Sequence, residues 1–277
     1  MIKQKNAIDF IVVSYYRIDY IRLIIKSINK FVSYPHTINI VFNELPDSEE
    51  VKTLQKICSK QENIKLIQGT SQQNNYANGE IDKSRNVIVT NNELVFTKDK
   101  YGNTDKIGPG SKNHSEGLTI GMKNTENNYV CFLDMDVVFL NKWVDEILPL
   151  LDDYFLVSHR FDTGKGPSGI VREMFMIFRR ENFEKYNLYP NIDYVDAAGN
   201  ITKFCIDNQF DFYILKNSLG NIKLKKEHLL NLSCGEQAYT PANIPFFYHY
   251  GRGATLTDEL YDEWITNVEN YLNDGVT

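Results

Sequence analysis

Residues Tyr129–Leu140 read YVCFLDMDVVFL, an apolar run broken only by Asp134 and Asp136. Tyr129–Leu133 has the short, apolar character of a strand buried on both faces. That strand delivers two carboxylates at its C-terminal end. In open α/β sheets, ligands bind beyond the carboxyl ends of strands. Residues i and i+2 of an extended segment point to the same side, so both aspartates can approach one cation. Hard, anionic oxygen donors suit Mg²⁺ or Mn²⁺, above all an ion that also binds phosphate oxygens. For an isolated Asp-x-Asp the plain alternative is a solvated turn, so the surrounding sequence decides.

Towards the N-terminus, Ile8–Ser14 is another buried strand, followed by Ile18, Ile21, Ile25, Ile28 and Phe31 at helical spacing. Ile38–Phe42 and Ile64–Ile67 are further strands. Between them a helix starts near Pro46–Glu50, where Asp47 and Glu50 have capping-box spacing. This alternation predicts a parallel sheet with helices on its faces. Residues 69–113 are rich in Asn, Gln, Gly, Lys and Ser, the composition of a functional loop. Beyond it the pattern predicts a helix over 115–123. On the C-terminal side, Leu156–Ser158 and Met174–Phe178 read as strands, and Asp207–Ser218 and Asp258–Asn273 as helices.

The chain has 277 residues, 42% of them hydrophobic, enough to bury a sizeable core. A net charge of −6 gives no global basic field for nucleic acid or anionic membranes. The first apolar stretch is too short for a signal sequence or a membrane span. Cys58, Cys131, Cys205 and Cys234 are scattered without a CxxC pair, which argues against a zinc cluster. A cytoplasmic protein without a transmembrane segment is expected.

Asn113-His114-Ser115-Glu116-Gly117-Leu118 together with Tyr129–Val137 resembles the central block of family-2-like glycosyltransferases. There a helix rich in small residues precedes a strand ending in a DxD motif. FIVVSYYR (Phe10–Arg17) resembles their first strand and nucleotide-binding turn, with Tyr16 where an Asn is usual. Phe247-Tyr248-His249-Tyr250-Gly251-Arg252-Gly253 resembles their late His-Tyr-Gly segment. The resemblance spans residues 8–253 in order.

It implies an α/β fold of the GT-A type: a mostly parallel, Rossmann-like sheet flanked by helices, with an acceptor-side region towards the C-terminus. Within that single domain, residues 1–140 form the nucleotide-sugar-binding half. Residues 141–253 form the acceptor-binding and catalytic half, and 254–277 a C-terminal helix. The activity implied is transfer of a sugar from a nucleotide-diphosphate sugar, UDP-linked by preference, to an acceptor hydroxyl with inversion. The acceptor stays open among glycan, small molecule, protein and modified nucleic acid.

By this resemblance Asp134, Asp136 and His249 hold the metal. A histidine between aromatics is as often a packing residue, but an imidazole beside two carboxylates favours Mn²⁺ over Mg²⁺. Ser14, Tyr15, Tyr16, Arg17, Asn43, Glu44, His114, Asp134 and Arg252 would face the nucleotide sugar, although both tyrosines are equally readable as packing. Lys112 and Lys165 are further cations in loops. Inverting transfer needs a base for the acceptor hydroxyl. Asp207, read as a helix start, is the first candidate, with an N-cap as its other reading; Asp211 and Asp196 are the alternatives.

Two rivals remain. A nucleotidyltransferase should carry a Gly-rich, basic signature after its first strand, and SYYRIDY (Ser14–Tyr20) has no glycine. A catalytically degenerate sugar- or nucleotide-binding module would have no reason to keep both Asp134 and Asp136.

Overall fold

A computed structural model describes residues 5–15, 17–44, 46–70, 81–82, 87–88, 95–98, 104–107, 109–159, 173–191, 197–219, 236–250 and 258–273. Strand β1 (Lys5–Ser14) and helix α1 (Ile18–Phe31) lead to β2 (His36–Phe42), α2 (Glu49–Cys58) and β3 (Ile64–Gln68). The apolar runs of β1 and β2 are buried because helices cover both faces of the sheet. Ser48, not Asp47, caps α2: its side chain accepts the Val51 N–H at 3.2 Å.

Two short antiparallel strand pairs follow, β4 (Ile81–Asp82) with β5 (Val87–Ile88) and β6 (Val95–Lys98) with β7 (Thr104–Ile107). Helix α3 (Pro109–Lys123) begins six residues earlier than its apolar pattern suggests. It lies close on β1 because Gly117 and Gly121 face the strand. A Cβ at Gly117 would sit 2.8 Å from Val13, and one at Gly121 would collide with Ile11.

Strand β8 (Asn127–Leu133) is followed after a turn by β9 (Val137–Phe139). Helix α4 (Val144–Ile147) continues into a 3-10 turn before β10 (Leu156–His159). Then come β11 (Phe175–Arg179), α5 (Arg180–Lys185), α6 (Gly199–Asp207), β12 (Tyr213–Leu215) and β13 (Asn217–Leu219). Strands β14 (Glu236–Tyr239) and β15 (Pro245–His249) and helix α7 (Asp258–Asn273) complete the described elements.

The expected mostly parallel α/β sheet is observed: seven strands in the order β12-β10-β11-β8-β1-β2-β3. Only β11 runs against the others, pairing antiparallel with both β8 and β10. A second sheet, β13-β14-β15-β9, is antiparallel. On one face of the large sheet, α1 and α2 share a core with the small sheet, Trp143 and α7. On the other, α3, α5 and α6 bury Leu118, Phe183 and Ile201 against β8 and β11.

One expected helix is replaced. The helix predicted over Asp207–Ser218 instead ends at Asp207. Gln209 adopts φ 57°, and the N–H groups of Phe210 and Gln209 return to the carbonyls of Cys205 (2.9 Å) and Ile206 (3.3 Å). This double closure stops a helix even without glycine. Phe210 then stacks on Phe155, and the chain enters β12. No helix among the described residues is long and apolar enough to cross a membrane.

Candidate functional site

The sheet's carboxyl edge gathers the ends of β1, β2, β8 and β10, and the start of β11. Asp134 directly follows β8, and its N–H reaches the Met174 carbonyl at 3.3 Å. Asp134–Asp136 is a turn rather than the extended segment expected, since the Val137 N–H closes on the Asp134 carbonyl at 3.2 Å. The turn, not strand alternation, brings the two carboxylates together as the chain passes from β8 into β9. His249 ends β15, whose pairing with β9 sets His249 opposite Val137.

His249 Nε2 lies 3.2 Å from Asp136 Oδ1 and 3.5 Å from Asp134 Oδ2. Two carboxylates and an imidazole are a sound donor set for a divalent ion. Ligand atoms about 2.1 Å from an octahedral ion lie roughly 3 Å from their neighbours. The observed separations therefore fit one ion held by Asp134, Asp136 and His249, and these three form a metal-capable cluster.

Burial disfavours charge on His249, but Asp136, Asp134 and Glu236 outweigh it and raise its pKa to about 9. In the metal-free protein a protonated imidazole thus balances the carboxylates. Tyr20, packed on Tyr261 and Trp264, lies within electrostatic reach of Asp136. Burial and the charge of Asp136 push its phenol above the ordinary range, so it stays neutral.

Three groups that sequence reasoning missed surround this trio. Glu173, buried just before β11, places Oε1 3.9 Å from His114 Nδ1. His114, on α3, places Nε2 3.5 Å from Asp134 Oδ1, and His114, Asp134 and Glu173 form a second cluster of ligand-type groups. His159 and Glu236, at most 1% exposed, pair at 3.2 Å. Burial lowers the His159 pKa against the opposing pull of Glu236, so the ring is neutral. In the sequence Glu173 is a lone carboxylate directly before the apolar run Met174–Phe178, and Glu236 a lone carboxylate between Gly235 and Gln237. A charged residue adjoining a buried strand is the one signal they offer.

Beside the metal-capable trio, β1 and β2 end next to each other. Ser14 Oγ donates to Glu44 Oε1 at 3.2 Å, both residues being buried. Asn43 Nδ2 donates to the Asn113 carbonyl at 3.2 Å, which ties this edge to α3. Tyr15 is half-buried, and the Arg17 guanidinium lies 4.3 Å over the Tyr261 ring. Ser14, Tyr15, Arg17, Asn43 and Glu44 thus belong to one edge with Asp134. Tyr16, Lys165, Asp196 and Arg252 lie outside the described residues, as does the Lys112 side chain.

Asp207 and Asp211 are not brought to this edge. Asp207, expected to start a helix, ends one; its side chain is exposed and paired with Lys203. The Asp211 carbonyl accepts the Phe155 N–H at 2.8 Å, which puts it at the amino end of β10. Both therefore stand across the sheet from Asp134. The reason is the early helix stop at Gln209, which spends the next residues returning the chain to the amino edge.

No protein-family model matches the sequence, and no curated protein does. Among solved structures, the chain is similar to residues 1–349 of Staphylococcus aureus TarS, at 14% identity. That match covers 70% of this chain and 52% of the other, with a TM-score of 0.42. The mannosyltransferase PcManGT from Pyrobaculum calidifontis, in complex with GDP-Man and Mn²⁺, is 10% identical; 77% and 55% are covered, with a TM-score of 0.47. The glycosyltransferase GlyE of Streptococcus pneumoniae is 12% identical over 76% and 45%, with a TM-score of 0.42. The chain spans about half the length of these proteins.

Proposed function

We propose that this chain is a metal-dependent glycosyltransferase of the GT-A type that moves a sugar from a nucleotide-diphosphate donor to an acceptor hydroxyl with inversion. One observation carries the reading. Asp134, Asp136 and His249 converge within 3.5 Å at the carboxyl edge of an α/β sheet, beside the ends of β1 and β2. A divalent cation bound there, Mn²⁺ in preference to Mg²⁺, would neutralise charge on a departing diphosphate.

The chain's own residues would do the rest. Ser14, Asn43 and Glu44 offer hydroxyl, amide and carboxylate groups for the base and ribose of a nucleotide, a UDP-sugar by preference. His114, on α3 beside Asp134, would donate to a phosphate oxygen. For the base that deprotonates the acceptor we turn to Asp196. The expectation was an aspartate just ahead of a helix in the second half of the chain. Helix α6 begins at Gly199, three residues after Asp196 in the sequence, and ends at Asp207, which supports choosing Asp196 over Asp207.

A thermal-shift screen with UDP, GDP and ADP, each with and without Mn²⁺, tests the reading through ligand linkage. One nucleotide should stabilise the protein in a metal-dependent way, and hydrolysis of the matching nucleotide sugar should be detectable without acceptor. Absence of any metal-dependent nucleotide response would overturn the proposal.

A further inference from the structure

Glu236 and His249 face each other as direct partners in the β14–β15 ladder. Residues so paired project side chains to the same face, with Cβ atoms about 4.5–5.5 Å apart. His249 turns Nε2 towards Asp134 and Asp136. Its other ring nitrogen, Nδ1, is buried without a hydrogen-bond partner among the described residues. Glu236 is in the complementary condition. Oε2 meets His159 Nε2 at 3.2 Å, while Oε1 is buried and also lacks a partner among the described residues.

A neutral imidazole that gives its Nε2 lone pair to a cation carries its proton on Nδ1. That proton is directed into the protein, where a buried donor needs an acceptor. We propose that Glu236 positions His249 as a metal ligand by accepting the Nδ1 proton through Oε1, while His159 fixes the other carboxylate oxygen. The inference rests on the metal reading above. The assignment follows from register and burial: the two partnerless atoms belong to side chains on facing positions. Bonds of this kind orient a ligating ring and raise its basicity, and their loss typically lowers metal affinity 10–100-fold.

The test is calorimetric titration of the full chain with MnCl₂ alone, for wild type, Asp136→Asn, Glu236→Gln and Glu236→Ala, with thermal melts of each. Wild type should bind, Asp136→Asn should not, and both Glu236 variants should melt cooperatively yet bind roughly 10–100-fold more weakly. Both variants lose the same negative charge, which by itself weakens cation binding in each. Glu236→Gln, whose amide oxygen can still accept the Nδ1 proton, should therefore bind more tightly than Glu236→Ala, and equal binding by the two overturns the inference. A folded Glu236→Ala that binds Mn²⁺ as tightly as wild type, or more tightly, also overturns the inference and leaves the metal site standing. A wild type that binds no Mn²⁺, or an Asp136→Asn that binds normally, overturns the metal reading instead. Should neither Glu236 variant fold, proton NMR of the Mg²⁺-loaded wild type still decides. One slowly exchanging imidazole N–H assigned to His249 is expected, and its absence overturns the inference.

Discussion

On the proposed metal reading, the protonated His249 makes metal loading a competition between ions. In the metal-free protein its pKa is about 9, against an ordinary 6.5. At pH 7.5 only about 3% of the rings are neutral, so nearly every bound ion must displace a proton. Apparent Mn²⁺ affinity should rise about tenfold per pH unit from pH 7 and level off above pH 9. Isothermal titration in buffers of different ionisation enthalpy should count close to one proton released per ion at pH 7.5. The same group leaves a mark on metal-free stability. A folded pKa above the unfolded one contributes stability that is complete below about pH 6.5 and is lost as pH rises through 9. The 2.5-unit gap, at 1.36 kcal/mol per unit, is about 3 kcal/mol. Relative to His249→Gln, wild type should lose roughly 5–10 °C of melting temperature between pH 6.5 and pH 9.5. Proton release near zero, with pH-independent affinity, would refute the reasoning.

Asp134→Asn and Asp136→Ala should each abolish metal-dependent turnover, as EDTA should in wild type, while the proteins still melt cooperatively; activity assays with far-UV melts check this. Asp196→Asn should slow transfer about 10²–10⁴-fold with nucleotide binding intact, measured by single-turnover kinetics. Asp207→Asn, which loses only an exposed pair with Lys203, should transfer at the wild-type rate and shift stability by less than about 0.5 kcal/mol. Gly121→Leu drives a side chain into Ile11 and should destabilise the fold by about 1–3 kcal/mol or more in urea titration.

The strands and helices from β1 to β3 were legible because each carries its own signal. Buried parallel strands are unbroken apolar runs, and α1 shows its face at helical spacing. The pair Asp134 and Asp136 was legible for the same reason, as charges that break such a run. Where an element's fate depends on remote packing, the local pattern misled. The stretch over Asp207–Ser218 reads as a helix, but Phe210 stacks on Phe155 and Tyr213 pairs with Val157 of β10, so the chain forms β12 instead. Glu173, His159 and Glu236 were invisible for a related reason. Glu173 and His159 adjoin apolar runs, but that these side chains are themselves buried follows only from pairing β10 with β11, β11 with β8 and β14 with β15. The α3 start was missed because its first turn, Pro109–Lys112, offers no apolar face.

The Asp134–Asp136 turn is where the chain leaves one sheet for the other, and that has a kinetic consequence. His249 arrives from the second sheet, so the three donors meet only after β15 has docked on β9. A folding nucleus built from β1, β2, β8 and their helices would hold two carboxylates and no imidazole. A metal ion has little to grip in such a state. Interactions absent from the transition state act on the unfolding rate. Manganese should therefore leave the rate of folding nearly unchanged and slow unfolding, acting as a latch that closes once the protein is assembled.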